Sequence, residues 1–495
     1  MTGPLALDRP ELVRRLREVL IAREFSAAKI GDALGTGDEI VSRTAEIPVQ
    51  LRQLERHPTL GALVRLLILA LDVPADQLAP AIAPLALSDL ASLGLVAQRD
   101  VMVRPLVRVV PHDHLLITSD IRLRPGEAAP ADHVPGVHRP SVTLAHLTVR
   151  RPVRAFLDLG TGCGVEALLA SPHAERVLAT DVSARAVNFA AFNAQLNGVA
   201  NLELRVGSWF EPIGDARFDT IVCNPPYVIS PASEYIYRDS GMSGDSVSEQ
   251  IVRSIPAHLE EGGFATMAIS WVAEPDGDPT AAVRRWVRDS GCDSWLLHYR
   301  TDSPLETAAV WNQTESGDPE RYGRLIDTWL AYYRDLGIRG IAYGSLVMRR
   351  RSGANWFRSD PLPGGGRLKP SSDHIQRVFA AHDLLAAGPE VLLGERVRVV
   401  PRAAIEQRVR FSDGQPQIDA MTLTLDEGVG FQAGMDDQVL HLLTQLDGRR
   451  TLREALAEGA KRDGVADVER YASAGLPAAR RMFELGFLER VVQRD

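Results

Sequence analysis

The sequence predicts an α/β protein built on a doubly wound, mostly parallel sheet, with a smaller module on each side of it. Three observations carry this. Between residues 150 and 352, strand-like and helix-like segments alternate, as in "VRAFLDLG", "VEALLASP", "RVLATD" and "SARAVNFAAFNAQLNG", the rhythm of parallel strands joined by crossover helices. The strand segments are unbroken Val, Ile, Leu and Ala runs, as expected of strands covered on both faces. The first of them ends on "DLGTGCG", a glycine-rich turn that opens a helix, which is where an α/β sheet presents backbone N–H groups to a ligand.

Along the chain, residues 1–120 read as short helices followed by a small β-ribbon, a winged-helix-like module. "PELVRRLREVLIAREF" has helical spacing, and "SAAKIGDALG" starts on a capping Ser26 and ends on Gly35. Such a module serves either as a docking arm for nucleic acid or substrate, or as a structural cap on the next domain. Residues 121–149 form a Pro- and Ala-rich linker with a β segment. The sheet domain occupies 150–352. Past it, "RSGANWFRSDPLPGGGRLKP" reads as a linker or exposed loop, and residues 353–495 as an α+β module that closes, like the first, on a helix running into a wing-like strand.

Composition narrows the function. Hydrophobic residues make up 45% and charged residues 24% of the 495, ordinary for a globular protein, and the length predicts about three domains. The net charge of -9 argues against a surface coated for nucleic acid while allowing a local basic patch. Cys163, Cys223 and Cys292 lie far apart with no metal or disulfide spacing, so no metal site is expected. The N-terminus lacks a signal pattern and the longest apolar run is too short to span a bilayer, which predicts a cytoplasmic protein with no membrane partner. His112, His114, His133 and His138 are expected on surface loops.

Two sites carry chemistry. After the strand ending at Asp158, Gly160, Thr161, Gly162 and Gly164 make a G-x-G-x-G turn whose backbone can approach a ligand closely. Asp158 is placed to face a cationic group across that loop. Asp181 ends the next strand, where a carboxylate accepts from ribose hydroxyls. Further on, "IVCNPPY" stops an apolar strand on Asn224, Pro225, Pro226 and Tyr227.

The series D-L-G-T-G-x-G, T-D and N-P-P-Y, in this order and spacing, resembles the class I S-adenosylmethionine-dependent methyltransferases over residues 150–352. The resemblance implies a Rossmann-like, seven-stranded sheet with an antiparallel last hairpin. It implies S-adenosyl-L-methionine as cofactor, its methionine part held by Asp158 and the Gly160–Gly164 loop and its ribose by Asp181. The Gly207, Ser208, Trp209 turn would border the adenine. Many relatives carry Asp where Ser208 stands, so no side-chain contact is expected there and Trp209 is left as a stacking candidate.

The N-P-P-Y segment points to the subgroup that methylates planar nitrogens. An amide or exocyclic NH2 has a delocalised lone pair. The Asn224 side-chain oxygen and the Pro225 carbonyl would bind its two hydrogens and favour the charge that develops on nitrogen. The prolines keep those acceptors aimed, and Tyr227 would stack on the planar group. The leading reading is transfer to a protein glutamine side chain. Nucleobase methylation of rRNA, tRNA or DNA is the alternative, and a small molecule, a peptide or a non-catalytic cofactor-binding module are further ones. A macromolecular partner is favoured. "YRDSGMSGDSVSEQIV" is expected as a mobile lid or substrate loop.

Overall fold

Eight strands form the central sheet, and their order fixes where a ligand can bind. The computed structural model describes residues 4–36, 44–121, 130–231, 235–239, 241–274, 277–363, 368–412 and 414–491. Parts of three segments discussed above therefore lie outside the described residues: 122–129 of the linker, Ser240 of the expected lid, and 364–367 of the Gly-rich stretch. Contacts divide the chain into two units, Met1–Ala145 with Arg151–Pro361, and His146–Arg150 with Leu362–Asp495.

The strands of the first unit are β1 (Val153–Leu159), β2 (Ala174–Asp181), β3 (Leu202–Val206), β4 (Phe218–Cys223), β5 (Leu259–Val272), β6 (Cys292–Asp302), β7 (Ile341–Arg350) and β8 (Phe357–Pro361). They lie in the order β8-β6-β7-β5-β4-β1-β2-β3. β1 to β5 run parallel, and β7 lies antiparallel between β5 and β6. This is the doubly wound sheet with an antiparallel last hairpin that the sequence predicts. Helices α1 (Val165–Ala170) and α2 (Ala184–Asn197) follow β1 and β2, and α3 (Ser246–Ser254) precedes β5. The segment "VSEQIVRSIPAHLEEGG" has helical spacing at its start, but the helix stops at Ser254. Pro256 cannot donate within a helix, and Leu259 already pairs with Phe218 in the sheet.

The sheet has one strand more than the seven expected. Phe357–Pro361, read from sequence as linker, pairs in parallel with β6. Side chains explain why this Arg- and Pro-bearing stretch is ordered. Asp360 accepts from Trp295 Nε1 at 2.8 Å and from Arg358 at 2.5 Å, and the Arg358 guanidinium lies 5.2 Å over the Trp295 ring. Fully buried Asp293 pairs with Arg349 at 2.6 Å and Arg351 at 3.2 Å, and accepts from Trp356 N at 3.3 Å.

The N-terminal elements belong to the same unit. Helix Pro10–Ala22 buries Val13, Leu16, Val19 and Leu20, and one apolar core runs from these residues to Phe189, Phe192 and Leu196 of α2. Short strands Val73–Pro74, Val96–Arg99 and Met102–Pro105 form a ribbon, and Arg108–His112 pairs with Leu115–Ser119 in a hairpin. That hairpin lies along α2. Asn197 exchanges two hydrogen bonds with the Leu116 backbone at 2.9 and 2.8 Å, and Asn188 exchanges two with Leu5 at 3.0 Å.

The second unit is α+β. Arg396–Val399 pairs antiparallel with Asp447–Thr451 and with Leu488–Arg490, the strand that follows helix Val468–Glu484. Buried His374 ties its core: one ring nitrogen meets Leu485 O at 2.9 Å and the other Val429 N at 3.1 Å.

Removing the Asp293 carboxylate takes a buried acceptor from Arg349, Arg351 and the Trp356 N–H that leads into β8. Asp293→Ala should cost about 3 kcal/mol of stability, read as a lower denaturation midpoint by urea titration.

Candidate functional site

The strand order reverses between β1 and β4, and a crevice opens at such a reversal beyond the carboxyl ends of the strands. Register does the rest. Leu159 pairs with both Thr180 and Cys223, so Gly160, Asp181 and Asn224 each follow immediately at neighbouring strand ends. They face one cavity of about 470 Å3, lined by Asp158, Gly160, Thr161, Gly162, Asp181, Gly207, Ser208, Trp209 and all of Asn224, Pro225, Pro226 and Tyr227. Gly164 is the one glycine-turn residue outside this lining. It caps α1 with φ 85°, and a Cβ there would stand 3.1 Å from the Ala190 backbone. Its role is close packing of α1 on α2.

The glycine loop is held through its backbone. The N–H groups of Gly160 and Thr161 both donate to Thr180 O at 2.9 Å. Gly162 N donates to Asp181 Oδ2 at 2.9 Å, and Ser183 N donates to Asp181 Oδ1 at 2.9 Å. Gly160 and Gly162 have φ of 76° and 55°, and a Cβ on either would meet no atom within 4 Å. The loop thus leaves open space above its backbone.

Asp158 is buried at the end of β1. Its Oδ2 accepts from Thr161 Oγ1 at 2.6 Å and from Ala167 N at 3.1 Å. Burial pushes its carboxyl up to about 7 against the effect of those two donors, and the charge of Asp181 adds to the rise. Burial also raises Asp181, opposed by the backbone N–H groups it accepts from. Both carboxylates are therefore held where a cation or hydroxyl donor would stabilise their charged forms.

At the end of β4 the chain turns tightly, with Tyr227 N donating to Pro225 O at 2.8 Å. One lone pair of that carbonyl is taken and the other is left for a ligand. Among the described residues the Asn224 side-chain amide makes no hydrogen bond, although it lines the cavity. Tyr227 is fixed from below: Ser270 Oγ donates to its carbonyl, and its ring packs in a cluster with Tyr299, Trp329, Tyr333 and Tyr343. Burial pushes the Tyr227 phenol up to about 12, so the ring stays neutral. Trp209 adopts φ 47° and lines the cavity beside Ser208. Gly207 N donates to Asp181 O at 3.0 Å, and a Cβ there would meet Pro212 Cγ at 2.4 Å.

Two further walls line the cavity, one that sequence reasoning missed and one that overlaps the expected lid or substrate loop at Tyr237–Asp239. One is the segment from Asp132 to Ser141, the other Ile236–Asp239 with Trp311. They meet at the mouth, where Ile236 N donates to Ala131 O at 3.0 Å and the His133 and Tyr237 rings lie 5.8 Å apart. His133 was expected on the surface but is buried, and that burial lowers its pKa. The segment expected as a mobile lid is pinned at its start. Arg238 makes a bidentate pair with fully buried Asp239 at 2.7 and 2.9 Å, and Ser230 Oγ donates to Asp239 Oδ1 at 2.9 Å. The clue in sequence is the adjacent Arg and Asp among aromatics in "YIYRDS", since a tethered ion pair next to rings is suited to burial.

The residues fit S-adenosylmethionine. The open glycine cradle, two acidic strand ends and an uncommitted amide supply backbone room, carboxylates and an acceptor where the cofactor and a planar NH2 group would need them. Among the described residues no group of three or more His, Cys, Asp or Glu is placed to hold a metal ion, and no helix is long and apolar enough to cross a membrane.

Comparison with known proteins identifies the family. The methyltransferase small domain family matches residues 140–271, and a domain of unknown function (DUF7059) matches residues 22–106. A release factor glutamine methyltransferase of Xylella fastidiosa is 36% identical over 30% of this chain and 54% of its own length. A ribosomal protein uL3 glutamine methyltransferase of Bradyrhizobium diazoefficiens is 37% identical over 22% of this chain and 39% of its own. Among solved structures, the YcgJ protein of Bacillus subtilis overlays 43% of this chain and 100% of its own, at 16% identity and a TM-score of 0.30. The chain spans about half the length of several of the relatives it matches. It covers more of the release factor glutamine methyltransferase of Geobacter sulfurreducens: 33% identity over 44% of this chain and 78% of that protein. The chain belongs to the family of the release factor glutamine methyltransferases, within the class I S-adenosylmethionine-dependent methyltransferases.

Proposed function

We propose that the protein methylates the side-chain amide nitrogen of a glutamine in a protein substrate. The observation that carries this reading is the unpartnered Asn224 amide beside the Pro225 carbonyl, at the end of the strand next to the glycine loop. The names of the relatives, which act on release factors and on a ribosomal protein, support a protein substrate over a nucleobase. A cytoplasmic location belongs to the same reading.

Bound S-adenosylmethionine supplies an electrophilic methyl group on a sulfonium centre. The chain's own residues do the remaining work. The backbone of Gly160–Gly162 and the carboxylate of Asp158 hold the amino-acid end, and Asp181 accepts from the ribose. Ser208 and Trp209 border the base. The acceptor's NH2 donates one hydrogen to Asn224 Oδ1 and one to Pro225 O. This directs its nitrogen at the methyl group and favours the positive charge that grows there. The Pro225-Pro226 backbone keeps both acceptors in place, so little reorganisation is needed at the moment of transfer. Tyr227 offers its face to the planar amide. The proton is lost after transfer, so no side chain need act as general base.

Purified protein incubated with labelled S-adenosylmethionine tests the reading. Release factor and ribosomal protein uL3, named for its relatives, are the first candidates to supply. Label on a glutamine side-chain nitrogen, located by mass spectrometry, is the expected result. Label confined to RNA or DNA would replace the substrate class.

Asn224→Ala removes the Oδ1 acceptor together with the rest of the amide. It should lower kcat by about 100- to 1,000-fold, roughly 3–4 kcal/mol, while the cofactor Kd measured by calorimetry stays within a few-fold.

Asp158 gives a pH signature. In the free protein its carboxyl is pushed up to about 7, and a bound ammonium group favours the ionised form. Cofactor affinity should therefore rise with pH from 6 to 8, with proton release on binding below pH 7. By the same sign, burial of Asp158 favours the folded free protein most at acidic pH, and this contribution is lost as pH rises through 7. Calorimetry in buffers of different ionisation enthalpy reads the released proton, and Asp158→Asn should abolish it.

A further inference from the structure

The strand Leu115–Ser119 supplies no residue of the cavity lining, although Ser119 stands against Gly136 of that lining, and three ties lead from the strand and the residue after it to the cavity. The first runs through Asn193 of α2, which is fully buried. Its Oδ1 accepts from Thr118 N at 2.8 Å, and its Nδ2 donates to Thr118 O at 2.9 Å and to Cys163 O at 2.8 Å. One side chain thus spends both amide hydrogens and its oxygen bridging the N-terminal hairpin to the glycine loop. The second tie is Asp120, the residue that follows the strand. It pairs with Val134 of the cavity wall: Asp120 N donates to Val134 O at 3.1 Å, and Val134 N donates to Asp120 Oδ2 at 2.8 Å. The third is the bidentate bond from Arg185 to Asp120, at 3.0 and 2.5 Å. Arg185 stands in the first turn of α2, four residues past Asp181.

These ties reach three parts of the cavity: the carbonyl of Cys163 in the loop, the wall at His133–Val134, and the turn after Asp181. A buried amide whose bonds are all satisfied has one favourable geometry, because any shift leaves a donor or acceptor unpaired. The position of the hairpin is therefore transmitted to the loop. The hairpin also meets α2 through Asn197 and shares an apolar core with Cys163 and Val165.

We propose that Asn193 and Asp120 are positioning residues through which the N-terminal module sets the cofactor cavity, so that S-adenosylmethionine binding and the packing of strand Leu115–Ser119 are energetically coupled. This rests on the reading of the cavity as an S-adenosylmethionine site. The module is then neither a separate docking arm nor a passive cap. It contributes to cofactor affinity without touching cofactor. Coupling of this kind is reciprocal: whatever tightens the loop also tightens the hairpin.

The test uses the full chain and two readouts. In hydrogen–deuterium exchange, adding S-adenosylmethionine should slow exchange across Leu115–Ser119 and leave Val96–Arg99 unchanged. Protection of Gly160–Gly164 with no change at Leu115–Ser119 would overturn the proposal. In calorimetry, Asn193→Ala should raise the cofactor Kd about tenfold, while Asn188→Ala, which removes an equally buried amide that bonds only Leu5, should leave it within about twofold. Equal Kd values for the wild type and Asn193→Ala would sink the coupling and leave the cofactor reading intact. Absence of cofactor binding by the wild type would remove both. If Asn193→Ala does not fold, the exchange experiment on the wild type decides alone.

Discussion

A strand order that reverses between β1 and β4 concentrates the chemistry of this molecule in one place. Crossover helices leave in opposite directions on the two sides of that point, and the space between them cannot be filled by either. Because β1 pairs with both β2 and β4 through Leu159, the residues that end those strands arrive side by side. Asp158 and Gly160, Asp181, and Asn224 are far apart in sequence and adjacent in register. The glycines, the carboxylates and the double proline are local answers to the demand made by that topology.

The site is costly to build. A buried and a half-buried carboxyl group stand near each other, and burial disfavours the charge of each. Four donors partly offset this, three of them backbone N–H groups at the starts of loops and helices. What remains favours a ligand that brings hydroxyls and a positive charge, so affinity is stored in the folded state as an unmet electrostatic demand. The same logic holds at Asn224, an amide that gives up its hydrogen bonds in the free protein and has them to offer.

What was legible in the sequence was local. "DLGTGCG", "ATD" and "NPPY" each encode a turn at a strand end, and such turns depend on residue type within a few positions. Gly164 was assigned to the ligand with its neighbours, because spacing cannot distinguish a glycine that faces a cofactor from one that faces Ala190. The wall from Asp132 to Ser141 was not legible, and the sequence shows Tyr237–Asp239 only as part of a lid or substrate loop. They become walls only through pairings with each other and with α2, and no periodicity announces those. His133 failed for the same reason: a histidine in a Pro-rich stretch reads as surface until the lid segment covers it. Phe357–Pro361 read as linker because its Arg and Pro content outweighs five residues of strand, and the partners that order it, Trp295 and Asp293, are over sixty residues away.

That short strand has a consequence for how the protein keeps to itself. Without it, β6 would expose a row of unpaired N–H and C=O groups flanked by apolar Trp295, Leu296 and Leu297, a template on which another chain could add. β8 takes up those groups and presents in their place an edge only five residues long, ending on Pro361. Proline offers no donor there, and so short an edge gives a neighbouring strand little to pair with. The strand that seemed an irregular exit from the sheet serves as its guard against self-association.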